Sequence, residues 1–184
     1  MLAAYAPRIY GGMKRRLQQV FAHHSFARNF PNSVYPAVTF NFGPVTTCFE
    51  HVDSANDPCS WCHITALGSF DPKRGGHLVL LKPRIAIEFP PGASILIPSA
   101  IVPHANVVVQ PGETRQSVTQ YCAGGLLRWA DCGFQTFADF AKADPVASRA
   151  FHAGLGGRVS EQVKQFSLLS ELESDRAALA RGEL

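Results

Sequence analysis

Between Pro36 and Tyr121 the chain alternates. Val38, Phe40 and Phe42 stand two apart with Thr39 and Asn41 between them, and short β-branched runs follow, each closed by Gly, Pro, Asn or Asp. A period of two puts one set of side chains on one face of a pleated strand and the other set on the opposite face. The spacing therefore predicts strands over 37–42, 45–50, 61–67, 77–81, 84–89, 93–98, 105–109 and 115–121. Nothing of helical period separates them, which argues against a parallel sheet joined by crossover helices. A sandwich or a double-sheet jelly roll remains.

The period changes on either side of this block. Met13, Leu17, Val20 and Phe21 predict an amphipathic helix within 12–24, with the basic residues on its other face. After Asp144-Pro145 the composition turns to Ala, Ser, Glu and Arg. Val159, Val163, Phe166, Leu169 and Leu172 there predict one helix capped by Ser160. The expected organisation is a β domain over 1–144 with N-terminal helical support, followed by a C-terminal helical extension over 145–184.

A chain of 184 residues can bury one core but is short for two ordinary domains. With 46% hydrophobic and 17% charged residues it belongs with globular rather than disordered sequences. No apolar run reaches the roughly 18 residues of a membrane span, and the N-terminus lacks the apolar stretch of a secretory signal. Five cysteines, an odd number scattered through apolar segments, suit free thiols in a reducing, intracellular compartment. Charge is unevenly placed: residues 1–49 hold Arg8, Lys14, Arg15, Arg16 and Arg28 and no acid. Such a segment is either a phosphate-contacting surface or a solvated helix face.

His51-Val52-Asp53 offers an imidazole and a carboxylate two residues apart, hence on one side of an extended chain. Alone this pair says little. Fifty-one residues after Asp53, His104 ends an apolar strand pattern that a jelly roll can return to the same place. Two histidines and one carboxylate form the facial set that leaves positions open on Fe(II) for a chelating oxoacid and O2; zinc or another metal can use the same ligands. Arg115-Gln116-Ser117 follows on the return strand of the hairpin that turns at 110–113. A guanidinium entering an apolar barrel needs an anion, and its fork matches a carboxylate such as the distal one of 2-oxoglutarate. Ser117 would add a hydroxyl, and Asn41, preceding the ligand strand, can line the same pocket. The competing reading pairs Arg115 with an internal acid, Glu88 or Glu113.

Residues 40–68, 75–106 and 112–129 together resemble the TET/JBP branch of the 2-oxoglutarate oxygenases, in particular its fungal, often transposon-associated members. The resemblance rests on the ordered HxD, H and RxS elements at His51, Asp53, His104, Arg115 and Ser117. It implies a double-stranded β-helix of cupin-like type, Fe(II), 2-oxoglutarate and O2, and oxidation of a 5-methylcytosine-like base in DNA, with a nuclear location. It further implies that His51, Asp53 and His104 bind the metal, that Arg115, Ser117 and His77 hold 2-oxoglutarate, and that Asn56 and Tyr121 lie at the substrate. The chain departs from the family at Ala123, where animal members carry a base-contacting histidine, and in lacking their cysteine-rich zinc region.

Other motifs are weaker. Cys59-Ser-Trp-Cys62-His63 has the form of a haem attachment site or half a zinc site, but no second cysteine pair completes it. Gly124-Gly125 suggests a bulge or turn, Trp129 and Phe134 suggest packing, and His23-His24 should flank the first helix. Besides a DNA-base oxygenase, a protein or small-molecule hydroxylase on the same scaffold and an inactive transposon-derived relic fit the sequence.

Overall fold

The computed structural model describes residues 1–24 and 30–184; Arg28 lies outside them. The chain divides into two compact units, one formed by Met1–Val34 with Gly124–Leu184 and the other by Tyr35–Ala123.

The second unit is antiparallel β. Its strands are β1 (Ala37–Asn41), β2 (Cys62–Ser69), β3 (Leu78–Leu80), β4 (Ile85–Ile87), β5 (Ser94–Ile97), β6 (His104–Asn106) and β7 (Thr114–Tyr121). One sheet has the order β1-β7-β2-β5 and the other β4-β3-β6. The expected strand at 45–50 is not a ladder of its own. Thr46 N–H donates to the Arg115 carbonyl and Arg115 N–H to that of Pro44, while Asn106 N–H donates to Cys48 and His51 pairs with His104. This segment leaves β7 of the first sheet for β6 of the second, so its pairing is split between two partners.

Along β2, Cys62, Ile64 and Ala66 share one face. On the other, His63 meets Gln120 and Thr65 meets Ser94. The inner face packs Ala66 with Phe70, Leu78, Phe89, Ile97 and Val109. Each large apolar side chain buried this way is worth about 1.5–3 kcal/mol. Ile64 and Leu78 stand at the edge of this core, where it gives way to a cavity.

The first unit is helical: α1 (Leu2–Tyr5), α2 (Pro7–His23), α3 (Gly124–Asp131), α4 (Phe137–Ala143), α5 (Pro145–Ala153), α6 (Leu155–Val163) and α7 (Leu172–Ala180). The predicted first helix is α2, extended back to Pro7, which suits the first turn because its missing N–H has no helical partner to lose. Ile9, Met13, Leu17 and Val20 form its buried stripe. Asp144 caps α5, accepting from the N–H groups of Val146 and Ala147.

The single helix expected beyond Val159 is broken. Helix α6 ends at Val163, a short 3-10 turn intervenes, and α7 starts at Leu172. Ser160 lies inside α6, bonding back to the Gly156 carbonyl, and does not cap. The apolar spacing misleads because its residues find no common face to bury: Val159 is 58% and Leu169 90% exposed. Gly124-Gly125 opens α3 rather than forming a bulge. Trp129 and Phe134 pack as expected, stacked on His24 and His23. The β-rich antiparallel core with helices toward both termini agrees with the sequence, although helices take more of the chain than the strand pattern suggested.

Candidate metal centre and its cavity

His51 and His104 are joined through their backbones. Each N–H donates to the other's carbonyl, at 3.1 and 3.0 Å, across an antiparallel bridge. Residues opposed in this way project on the same side, and the two ring centroids are 4.3 Å apart. Asp53 is brought alongside by its N–H, which donates to the Ser99 carbonyl at 3.0 Å. Its Oδ1 is 3.6 Å from His51 Nε2. One ligand atom from each of the three lies within 4.8 Å of the others, the only such His/Cys/Asp/Glu grouping among the described residues.

The imidazoles are oriented alike. His51 Nδ1 is 2.8 Å from the Phe49 carbonyl and His104 Nδ1 2.9 Å from the Val102 carbonyl. A carbonyl only accepts, so both rings donate from Nδ1 and leave Nε2 as the nitrogen that would meet a metal, the orientation usual for ligating histidines. Two imidazoles and one carboxylate at the edge of an open cavity suit a divalent ion that must retain free positions.

The cavity measures about 520 Å³ and lies wholly within the β unit. Arg115, Ser117, Thr119 and Tyr121 line it from alternate positions of β7, and Thr39 and Asn41 from β1. Asn41 Nδ2 donates to Ser117 Oγ at 2.9 Å. Arg115 is 1% exposed. Its Nη1 donates to the Thr46 carbonyl at 2.9 Å, and its Nε has no partner. Neither acid considered for it is engaged there: Glu113 accepts from Asp71 N–H and Gln110 N–H, and Glu88 is exposed. Burial pushes the guanidinium pKa down from its ordinary value, yet arginine stays protonated in proteins. The result is a buried cation in a cavity wall with no carboxylate beside it among the described residues.

His77 is not among the cavity-lining residues; its neighbour Leu78 is. His77 lies just before the first residue of β3. Asn56 lines the cavity but is buried, its Nδ2 lying 3.3 Å from Asp53 Oδ2, 3.2 Å from Cys62 Sγ and 3.5 Å from Ser99 Oγ. Ala123 forms an isolated bridge with Asn56.

Cys62 and Ser99 join the site without a sequence motif that marks them for it. The sequence distinguishes Cys62 only by its spacing to Cys59, and Ser99 by nothing. All five cysteines are free thiols, and burial pushes the Cys59 thiol up to about 12. In the helical unit, Arg8 pairs with Glu171 and Asp175, and Arg16 with Asp131. Lys14 and Arg15 are exposed.

No family model and no curated protein matches this chain. Among solved structures it is similar to NgTET1 in complex with 5mC DNA, at 13% identity and a TM-score of 0.42, over 65% of this chain and 50% of that one. The chain thus spans half the length of that neighbour. So distant a likeness says nothing about chemistry.

Proposed function

We propose that this chain is an Fe(II)- and 2-oxoglutarate-dependent dioxygenase whose β unit is a double-stranded β-helix. The observation that carries the reading is a single cavity with a His-Asp-His cluster at one side and an acid-free buried arginine in its wall. His51, Asp53 and His104 would hold the metal. Arg115, with Ser117 and Asn41 beside it, would take the distal carboxylate of 2-oxoglutarate, since a two-point guanidinium contact to a carboxylate both satisfies the orphan Nε side of the fork and neutralises the charge. Iron bound there supplies the O2 activation that couples decarboxylation of 2-oxoglutarate, to succinate and CO2, with placement of one oxygen atom in a substrate C–H bond. The protein's own contribution is to fix the two carboxylate-binding ends at a set distance and to keep the cavity walls, Ile64 and Leu78 among them, apolar.

The substrate we assign is a methylated pyrimidine base in DNA, following the resemblance to the TET/JBP branch. A base in duplex must be extruded to reach such a cavity, at a cost of a few kcal/mol. Among the described residues no helix is long and apolar enough to cross a membrane.

Anaerobic titration with Fe(II) and 2-oxoglutarate, followed by product analysis on methylated and unmethylated DNA, tests both levels. Stoichiometric metal binding is expected, with His51→Ala, Asp53→Ala and His104→Ala each abolishing turnover. Full turnover in any of the three would sink the metal centre. Iron- and 2-oxoglutarate-dependent oxidation of a peptide or metabolite, with DNA untouched, would remove the DNA assignment and leave the oxygenase standing.

A further inference from the structure

The carboxylate of Asp53 is gripped from behind. Oδ1 faces His51 Nε2, whereas Oδ2 receives Asn56 Nδ2 at 3.3 Å and lies 3.9 Å from Cys62 Sγ. Ser99 Oγ donates to Cys62 Sγ at 2.8 Å. The backbone closes the same circle: Asp53 N–H donates to the Ser99 carbonyl, and Asn56 N–H to the Asp53 carbonyl at 2.9 Å. Cys62 and Ser99 are almost fully buried, at 0% and 1% exposure, and Asn56 is buried with them.

We propose that Asn56, Cys62 and Ser99 are positioning residues that commit Asp53 Oδ2 to the protein, so that Oδ1 alone is presented to the metal. The inference rests on the metal-centre reading above. A carboxylate free to rotate can offer both oxygens and consume a coordination position that an oxoacid or O2 needs. Two donors on Oδ2 oppose that rotation, and a third group, Ser99, holds the thiol in place. The amide nitrogen that the family resemblance would offer to a substrate base is here directed at Asp53, Cys62 and Ser99.

The two roles of Asn56 separate in binding rather than in activity. Mn(II) and Co(II) titrations of the full chain are expected to show Asn56→Ala weakened roughly 10- to 100-fold, as when the outer partner of a ligating group is removed. The visible absorption of the Co(II) protein should shift as Asp53 changes its coordination. Cys62→Ser keeps a donor and should stay close to wild type; Cys62→Ala should lose affinity, and its combination with Asn56→Ala should be less than additive because both act on one oxygen. Cys59→Ser serves as a thiol control outside the network and should bind normally. Melting of the apo proteins identifies any variant that has merely failed to fold, in which case Ser99→Ala and Cys62→Ala carry the test.

Folded Asn56 and Cys62 variants with wild-type metal affinity and spectrum would overturn the proposal, as would a loss of base oxidation in Asn56→Ala with metal binding unchanged. A thiolate-to-cobalt charge-transfer band that disappears in Cys62→Ser would make Cys62 a ligand and overturn it differently. A wild-type protein that binds no divalent metal would bring down the metal centre itself, and the inference with it.

Discussion

Burying a guanidinium without a carboxylate costs free energy that the apo protein has to carry. Arg115 does so with one carbonyl bond at Nη1 and nothing at Nε. Two consequences have opposite signs. Without ligand, Arg115→Met should melt no lower than wild type, because an apolar side chain of similar length relieves the unpaired charge. With 2-oxoglutarate under anaerobic conditions, wild type should gain about 2.7 kcal/mol at a hundredfold excess over Kd, and the variant at the same concentration should gain less than half of that. Arg115→Ala should weaken 2-oxoglutarate by about 1.5–3 kcal/mol, with Arg115→Lys recovering only part, since an ammonium cannot make the planar contact. Thermal melting and isothermal titration read these effects. An apo Arg115→Met protein that melts well below wild type would mean the side chain is kept for the fold and not for an anion.

At the scale of elements, the approach of β2 to β7 decides where that arginine sits. Gly68 pairs with Arg115 in the ladder and has φ +115°, a conformation L side chains rarely adopt. A Cβ there would collide with the Thr114 carbonyl oxygen. Gly68→Ala should therefore destabilise the β unit by about 1–3 kcal/mol and also weaken 2-oxoglutarate binding, because relief of the clash must move the backbone that carries Arg115. Denaturant unfolding beside ligand titration separates the two, and a Gly68→Ala protein with unchanged stability would show that the strands can part there freely. Most strands were readable because alternation is a local signal: Val38 and Phe40 predict β1 without knowledge of any partner. The segment around Cys48 is not legible in this way, for the converse reason. Its alternation is real, but its hydrogen bonds are shared between β7 and β6, which no local pattern records.

For the molecule as a whole, charge is distributed differently from what a linear count suggests. Of the five basic residues in the first 49, Arg8 is held by Glu171 and Asp175 and Arg16 by Asp131 at the end of α3, and of the four that the structure describes Lys14 and Arg15 are exposed. If these two contact phosphates, Lys14→Gln with Arg15→Gln should lower the slope of log affinity against log salt for duplex DNA by about 1.8, at about 0.9 per contact. Arg16→Gln should leave the slope where it is. A slope unmoved by the pair, measured by anisotropy over a range of salt, would place the DNA contact elsewhere.

What the sequence determined by itself is what spacing can encode: the strand period, the amphipathic stripe of α2, the pairing of His51 with Asp53, and an arginine with a serine on one strand face. Tertiary structure decided everything that depends on which strands become neighbours. It set His104 against His51 through a backbone bridge, placed Leu78 but not His77 in the cavity wall, and drew Cys62 and Ser99, remote from each other in the chain, beneath Asp53. It also left Arg115 without an acid, although Glu113 lies only two residues away, because that carboxylate is bound to the N–H groups of Asp71 and Gln110. Side-chain period is a property of one segment; the partners of a buried polar group are set by long-range pairing.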